Sequence, residues 1–77
     1  MTFKIYKLTK CEGYIHEEYV NTVDAWNHIN ALAKHLGYKS LWYVKKDYCL
    51  RHKEDAKYVV KCPKIENVYF GPLCQPK

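Results

Sequence analysis

Only one segment of this chain, residues 21–37 (NTVDAWNHINALAKHLG), has the periodicity of an amphipathic helix. Its apolar side chains recur three and four positions apart, which places them on one stripe of a helix. Asn21 or Thr22 is expected to cap the first turn, and Gly37 suits the left-handed conformation that follows a last turn. The stripe contains Trp26, Ile29, Leu32 or Ala33, and Leu36. A fold of 77 residues with one helix is expected to complete its core with strands.

Strands are predicted on both sides of this helix, because the flanking segments alternate and are rich in aromatic and β-branched residues. Before the helix, residues 2–9 and 14–20 are expected to form a hairpin with Gly13 in its turn. Two apolar sets compete for the inner face of this hairpin. One set is Phe3, Ile5 and Val20, and the other is Tyr6, Leu8 and Ile15.

Three strands are expected after the helix, and Pro63 ends the last of them because proline cannot donate to a ladder. These strands are residues 40–46, 48–52 and 57–62. Residues 66–71 are expected to form a short edge strand, with a loose tail behind it. The sequence therefore predicts a single α+β domain over residues 1–77. Its antiparallel sheet of four to five strands packs on one helix, in the order β-β-α-β-β-β.

Tight turns in the second half predict which side chains share a face of the sheet. The simplest register places Val44 opposite Cys49 and Cys49 opposite Val60, and successive side chains point to opposite faces. The apolar face then holds Trp42, Val44, Cys49, Tyr58, Val60 and Cys62. The other face holds Leu41, Tyr43, Lys45, Tyr48, Leu50, His52, Lys57, Val59 and Lys61. With one helix in the fold, this second face is expected to be open.

The net charge of +5 is concentrated in residues 39–64, which hold seven lysines and Arg51 against three acidic residues. The segments before and after these residues are each neutral. An acidic partner would be attracted to this half of the chain. The alternative is that the lysines only keep a solvated face soluble, with their aliphatic stems packed on the sheet.

The cysteines do not predict a metal site. The N-terminus has no apolar run typical of a leader, so we expect a cytoplasmic protein without a membrane partner and with reduced thiols. Cys49 and His52 would point to opposite faces of a strand, and no Cys-x-x-Cys pair is present. A site built from Cys49, Cys62, Cys74 and a histidine remains the open alternative.

Enzymatic chemistry is not predicted, and neither is a cofactor. Ser40 is the only serine, and the chain has no glycine-rich phosphate loop. Glu17 and Glu18 would point to opposite faces of a strand, so they do not form a carboxylate pair. No histidine is placed by spacing as the base for a cysteine nucleophile.

The expected function is therefore binding. The first hypothesis is a non-catalytic protein that binds another protein or a nucleoprotein complex through tyrosines rimmed by lysines. The alternative is non-specific binding of single-stranded nucleic acid, with bases stacked on tyrosines and phosphates near lysines. Base-specific recognition is not expected, because the chain has twelve lysines and one arginine. A homodimer is also open. The predicted contact residues are Tyr43, Lys45, Tyr48, Lys53, Lys57 and Lys61.

A short segment of the chain resembles a known family. The residues KEDAK followed by VVKC (Lys53, Glu54, Asp55, Lys57, Val60 and Cys62) resemble a hairpin of an anti-CRISPR protein that acts on a multisubunit type I surveillance complex. The chain as a whole looks like the small phage-encoded inhibitors of host machinery, which often have a curved sheet around one helix. The local resemblance covers about ten of the 77 residues. It implies a non-catalytic inhibitor that blocks a nucleoprotein in the host cytoplasm through lysine contacts.

Overall fold

The structure, a computed structural model, describes residues 1–72, including every side chain except that of Leu41. Within these residues, five strands form one antiparallel sheet in the order β2-β1-β4-β5-β3, and two α-helices pack on it. The α+β class and the antiparallel sheet are thus confirmed. The strands are β1 (Thr2–Cys11), β2 (Tyr14–Asp24), β3 (Tyr48–Leu50), β4 (Tyr58–Cys62) and β5 (Ile65–Pro72), and the helices are α1 (His28–Leu36) and α2 (Leu41–Asp47).

The first helix begins later than the sequence pattern predicted. Residues 21–24 belong to β2, where they pair with β1, so Asn21 and Thr22 do not cap a helix. Asn27 is the N-cap instead, and its side chain accepts a hydrogen bond from the backbone N–H of Asn30 at 2.9 Å. Trp26 lies before the helix and is 85% exposed, so its place on the apolar stripe was wrong. Gly37 ends the helix with a φ of 80°, as predicted.

Residues 40–46 were predicted as a strand and are mostly helix, since α2 spans Leu41–Asp47. Val44 is fully buried in the core, whereas Trp42 and Tyr43 are exposed. Seven residues cover only two helical turns, and over that length alternation and helical periodicity are hard to distinguish. The hydroxyl of Tyr38, in the connection before α2, donates a hydrogen bond to the Asp47 carboxylate at 2.6 Å, which holds the end of α2 against that connection.

The second half of the sheet is not built from the predicted hairpin. β3 and β4 both pair with β5, which lies between them, so the connection formed by residues 51–57 has to cross over β5. Cys49 therefore lies opposite Gly71, and neither the Val44–Cys49 nor the Cys49–Val60 pairing is present. β5 is an inner strand rather than the expected edge strand, and the predicted tail from residue 73 onwards lies outside the described residues.

Gly71 makes this crossing possible. A Cβ atom on Gly71 would lie 2.7 Å from the backbone oxygen of Asp55 and 2.8 Å from Cγ of Arg51. Because only glycine lacks this atom, the connection can lie directly on the β5 backbone. The connection contains one short 3₁₀ turn, Lys53–Asp55.

Both helices pack on the same face of the sheet, which we call the helix face. Phe3 and Ile5 of β1, Leu32 of α1, Val44 of α2 and Val60 of β4 belong to one cluster and are fully buried. Phe3 and Ile5 are therefore the residues of the first hairpin that occupy its inner face. The opposite face of the sheet, which we call the open face, carries neither helix, and the connection of residues 51–57 crosses it at Gly71.

A bulge in the first hairpin separates the two apolar sets. Ile5 pairs with Asn21 and Tyr6 pairs with Tyr19, so β2 has an extra residue, Val20, between these pairs. The extra residue shifts the alternation of side chains between the two faces on β2 relative to that on β1. Leu8 and Tyr6, alternating with Ile5 on β1, point to the open face.

Candidate binding surface

The structure distributes the predicted contact residues over four parts of the fold instead of one face. Tyr43 and Lys45 are exposed on α2, because residues 40–46 are helical rather than extended. Tyr48 begins β3 on the helix face, where its ring is half-buried and lies 6.1 Å from that of Tyr58. Lys53 is in the crossing connection. Strand alternation leaves only Lys57 and Lys61 on the open face.

An open sheet face with tyrosines does exist, and it is built from other residues. Tyr19 of β2, Tyr6 of β1, Val59 of β4 and Tyr69 of β5 are successive neighbours in the strand registers, so they form one row across four strands. The rings of Tyr6 and Tyr19 contact each other edge to face, with centroids 5.7 Å apart. We call these four residues the tyrosine row. The sequence pattern does not predict this row, because it does not specify the strand order.

The tyrosine row covers a small apolar layer of its own. Val59 is fully buried and Leu8 is buried, although both point away from the helices. In the register, Val59 has Tyr6 on one side and Tyr69 on the other. We infer that these rings shield it from water together with the connection that crosses this face at Gly71, since neither helix lies here. The tyrosine row therefore covers this apolar layer and also has an exposed outer surface. Its most accessible member is Tyr19, which is 54% exposed.

One lysine on this face is held in place by two contacts. The Lys61 ammonium donates a hydrogen bond to the Glu17 carboxylate at 2.5 Å and lies 4.6 Å from the centroid of the Tyr6 ring. The hydrogen bond to Glu17 is the main reason that the pKa of Lys61 is raised, and burial opposes the shift. Lys61 is thus partly neutralised and covers one side of Tyr6.

Two further lysines at the edge of the tyrosine row are available to a partner. Lys4 is exposed and lies opposite Lys61 in the β1–β4 register, and Lys57 is exposed immediately before β4. Among residues 1–72, neither side chain makes a hydrogen bond or an ion pair. Both ammonium groups therefore leave a positive potential beside the tyrosines.

A groove on the helix face brings together two of the predicted contact residues, Lys45 and Tyr48. Its volume is about 450 Å³. The apolar part of its lining comes from α1 and from strands β3 and β5. This part consists of Ile29, Tyr48, Leu50, Val68 and Phe70.

Tyr38 stabilises the end of α2, and Tyr48, the residue that follows this helix, is half-buried. The hydrogen bond to the Asp47 carboxylate, with burial and the negative charge of Asp47, raises the pKa of Tyr38 to about 12. Burial, with smaller effects of Tyr58 and Asp47, raises the pKa of Tyr48. These groups support the local fold, so Tyr48 presents only part of its ring to a partner.

In the part of the chain that the structure describes, no three side chains of the metal-binding types come together. Cys11, Cys49 and Cys62 are free thiols. Cys74, a member of the alternative zinc set, lies outside the described residues. Neither helix between residues 1 and 72 has the length and apolar composition needed to cross a membrane.

The fold and its surfaces define a small α+β domain with an open, tyrosine-lined sheet face. No protein-family model matches the chain, and no significant match to it is found among curated proteins or solved structures. The function is therefore inferred from the chemistry of the two surfaces.

Proposed function

We propose that this chain is a small non-catalytic binding protein that uses its open face to engage an acidic protein or a nucleoprotein complex. In its most specific form, the proposal is a cytoplasmic inhibitor of the phage-encoded type, which blocks host machinery by occupying a surface. The observation that carries the proposal is the tyrosine row, which crosses four strands on the face that neither helix covers.

Tyrosine is well suited to such a contact. Its ring offers a large apolar area and its hydroxyl a hydrogen bond, at a low cost in side-chain entropy. Here two of the rings are held in place, because the Tyr19 ring contacts that of Tyr6 and the Tyr19 hydroxyl lies 2.5 Å from the hydroxyl of Thr22. A partner therefore meets a rigid surface, which reduces the entropy lost on binding.

The charge distribution favours an acidic partner. Lys4 and Lys57 are exposed beside the row and have no ion-pair partner within residues 1–72, whereas Lys61 is already paired with Glu17. Rim lysines of this kind increase the association rate with an acidic surface and contribute less to the lifetime of the complex.

The phage-type assignment is supported by the local resemblance of residues 53–62 and by the small size of the chain. In this chain those residues do not form a hairpin with each other. Lys53–Asp55 is a 3₁₀ turn in the crossing connection and Val60 lies in β4. The resemblance thus supports the class of function and no particular contact.

Single-stranded nucleic acid is the second candidate, since tyrosines on a sheet beside lysines are typical of such binders. The geometry favours this candidate less. The Lys61 ammonium lies over one side of the Tyr6 ring, and the edge of Tyr6 or Tyr19 meets the other ring, so stacking surface is already occupied. Lys61 is also partly neutralised by Glu17.

The test compares variants of the full chain in affinity capture from a bacterial host lysate, with mass spectrometry of the captured proteins. The open-face variants are Tyr19→Ala and the double variant Lys4→Glu with Lys57→Glu. The matched control reverses two lysines on the helix side, Lys39→Glu with Lys46→Glu, so that the net charge changes equally. We expect one defined protein to be captured by the wild type and the control and lost with both open-face variants.

Two results would contradict the proposal. Capture of that protein by the open-face variants would show that the open face is not the contact. Binding of the wild type to a labelled single-stranded oligonucleotide, with an affinity that falls steeply as salt rises, would favour the second candidate.

A further inference from the structure

We propose that the groove on the helix face is a second binding site, which takes an extended peptide segment of a partner protein. The segment carries an apolar side chain next to an acidic one. This site lies on the opposite side of the sheet from the tyrosine row, so the inference does not depend on the proposed function.

The floor of the groove is apolar sheet at the margin of the helices, where Phe70 is buried in the core and Leu50 and Val68 keep exposed surface. Val68 and Phe70 of β5 and Leu50 of β3 line it, and Leu50 is 69% exposed. Ile29, in the first turn of α1, lines the same groove. A volume of about 450 Å³ is within the range of pockets that bind ligands, and it accommodates one or two apolar side chains.

The edge of the sheet borders this groove. β3 is the last strand in the sheet order, so its outer side has no neighbouring strand within residues 1–72. The backbone N–H of Arg51 donates to the carbonyl of Tyr69 on β5 at 3.1 Å. Because hydrogen-bonding direction alternates along an antiparallel strand, the N–H and C=O of Leu50 point to the outer side.

An open strand edge beside an apolar groove is the arrangement used in strand addition. Backbone hydrogen bonds to the edge hold the peptide, and its alternate side chains enter the groove and give specificity. Because β3 has three residues, the edge matches a short segment rather than a whole strand.

Charge complementarity defines the rest of the peptide. Lys45 lines the groove and is exposed, and within residues 1–72 its ammonium makes no hydrogen bond or ion pair. Lys46, its neighbour, is placed instead over the Trp42 ring at 4.4 Å. The nearby carboxylate of Asp47 accepts a hydrogen bond from Tyr38. An acidic side chain on the peptide would form an ion pair with the Lys45 ammonium.

The experiment is a selection from a phage-displayed library of random heptapeptides against the immobilised full chain, with sequencing of the bound pool. Parallel selections use Leu50→Arg, which blocks an exposed part of the groove, and Tyr43→Ala as the control on α2. Circular dichroism verifies that each variant is folded. Peptides enriched on the wild type are then synthesised with a fluorophore, and their affinities are measured by fluorescence polarisation.

We expect peptides that combine an apolar with an acidic residue to be enriched on the wild type and on Tyr43→Ala. Leu50→Arg should weaken their binding by about tenfold or more. Lys45→Glu should weaken binding of the acidic peptide and improve binding of a matched peptide with lysine in place of the acidic residue. Lys57→Glu, on the open face, should leave peptide binding unchanged whether or not the open face has its proposed function.

Three outcomes would overturn the inference. The first is a wild-type selection with no enrichment over Leu50→Arg, and the second is enriched peptides that bind Leu50→Arg equally well. The third is a wild-type dimer in solution that Leu50→Arg converts to a monomer, since the occupant would then be a second copy of this chain.

Discussion

Lys61 of β4 reaches over the intervening strand β1 to the Glu17 carboxylate of β2, with 2.5 Å between nitrogen and oxygen. This ion pair joins strands that are not neighbours, and the Tyr6 ring lies between its partners in the sheet order, 4.6 Å from the ammonium. The pair therefore positions both a charge and a tyrosine of the open face.

Glu17→Gln should lower the pKa of Lys61 towards its ordinary value, because the hydrogen bond to Glu17 is the main cause of the raised pKa. Since the pKa is raised in the folded state, the stabilisation is complete below the ordinary lysine pKa and is lost as pH rises above it. At neutral pH the loss should be at most about 1 kcal/mol, because both side chains are partly exposed.

An NMR titration of the Lys61 side-chain nitrogen measures this shift, and urea unfolding at pH 7 measures the stability. Glu18→Gln is the matched control, because Glu18 is the exposed neighbour on β2 and points to the other face. An unchanged pKa of Lys61 in Glu17→Gln would contradict the expected role of the ion pair.

Asp47→Asn should lower the pKa of Tyr38 from about 12 towards the ordinary value of 10.0. The carboxylate accepts a hydrogen bond that only the protonated phenol can donate, so the interaction stabilises the fold below pH 10 and is lost as the pH rises to about 12. Tyrosine ring carbon shifts in an NMR titration measure the change. Glu54→Gln, an exposed acidic residue elsewhere, should leave the Tyr38 titration as it is.

Gly71→Ala should destabilise the fold by roughly 1–3 kcal/mol, because the new methyl group meets the backbone of the crossing connection. The Asp55 oxygen is 2.7 Å from the position of that methyl group and, being backbone, it cannot move independently. Urea unfolding measures the loss. Gly13→Asn is the control, since Gly13 has open space around it and asparagine tolerates its positive φ. Equal stability of Gly71→Ala and the wild type would show that the connection does not lie on β5.

Val59→Ala should cost roughly 1–3 kcal/mol, which is the cost of a cavity in a packed interior. Val59 is fully buried even though it points away from both helices. Val20→Ala removes the same atoms from an exposed residue and should cost far less. Thermal and urea unfolding of the two variants measure the difference. Similar losses in both would mean that the tyrosine row does not shield an apolar layer.

Several elements were predictable because local chemistry decides them. The turn at Gly13 and the helix end at Gly37 both use positive φ angles, which glycine adopts without strain. β4 ends at Cys62, immediately before Pro63, as expected for a residue without an N–H donor. The alternation of β1 was also clear, and Phe3 and Ile5 are in the core.

The sequence predicted the kind of surface that the candidate site has, but it did not predict most of the residues that form it. A tyrosine-bearing open face with lysines was expected, and the structure has one, but of the predicted residues only Lys57 and Lys61 lie on the sheet itself, with Lys53 in the connection that crosses it. Tyr43 and Lys45 were displaced because α2 replaced a strand. Tyr6 and Tyr19 became neighbours because of the bulge at Val20, which no local signal announces.

The sequence by itself determined some short-range features, which are the turn at Gly13, the end of α1 at Gly37, the alternation of β1 and the basic, tyrosine-rich composition of the chain. These depend on the φ preferences and side chains of residues close together in the chain. Only the tertiary structure decided that β5 lies between β3 and β4, and hence which tyrosines share a face. Strand order depends on pairings such as Ile5 with Val60, between residues far apart in the chain, whose free energy is absent from any local pattern.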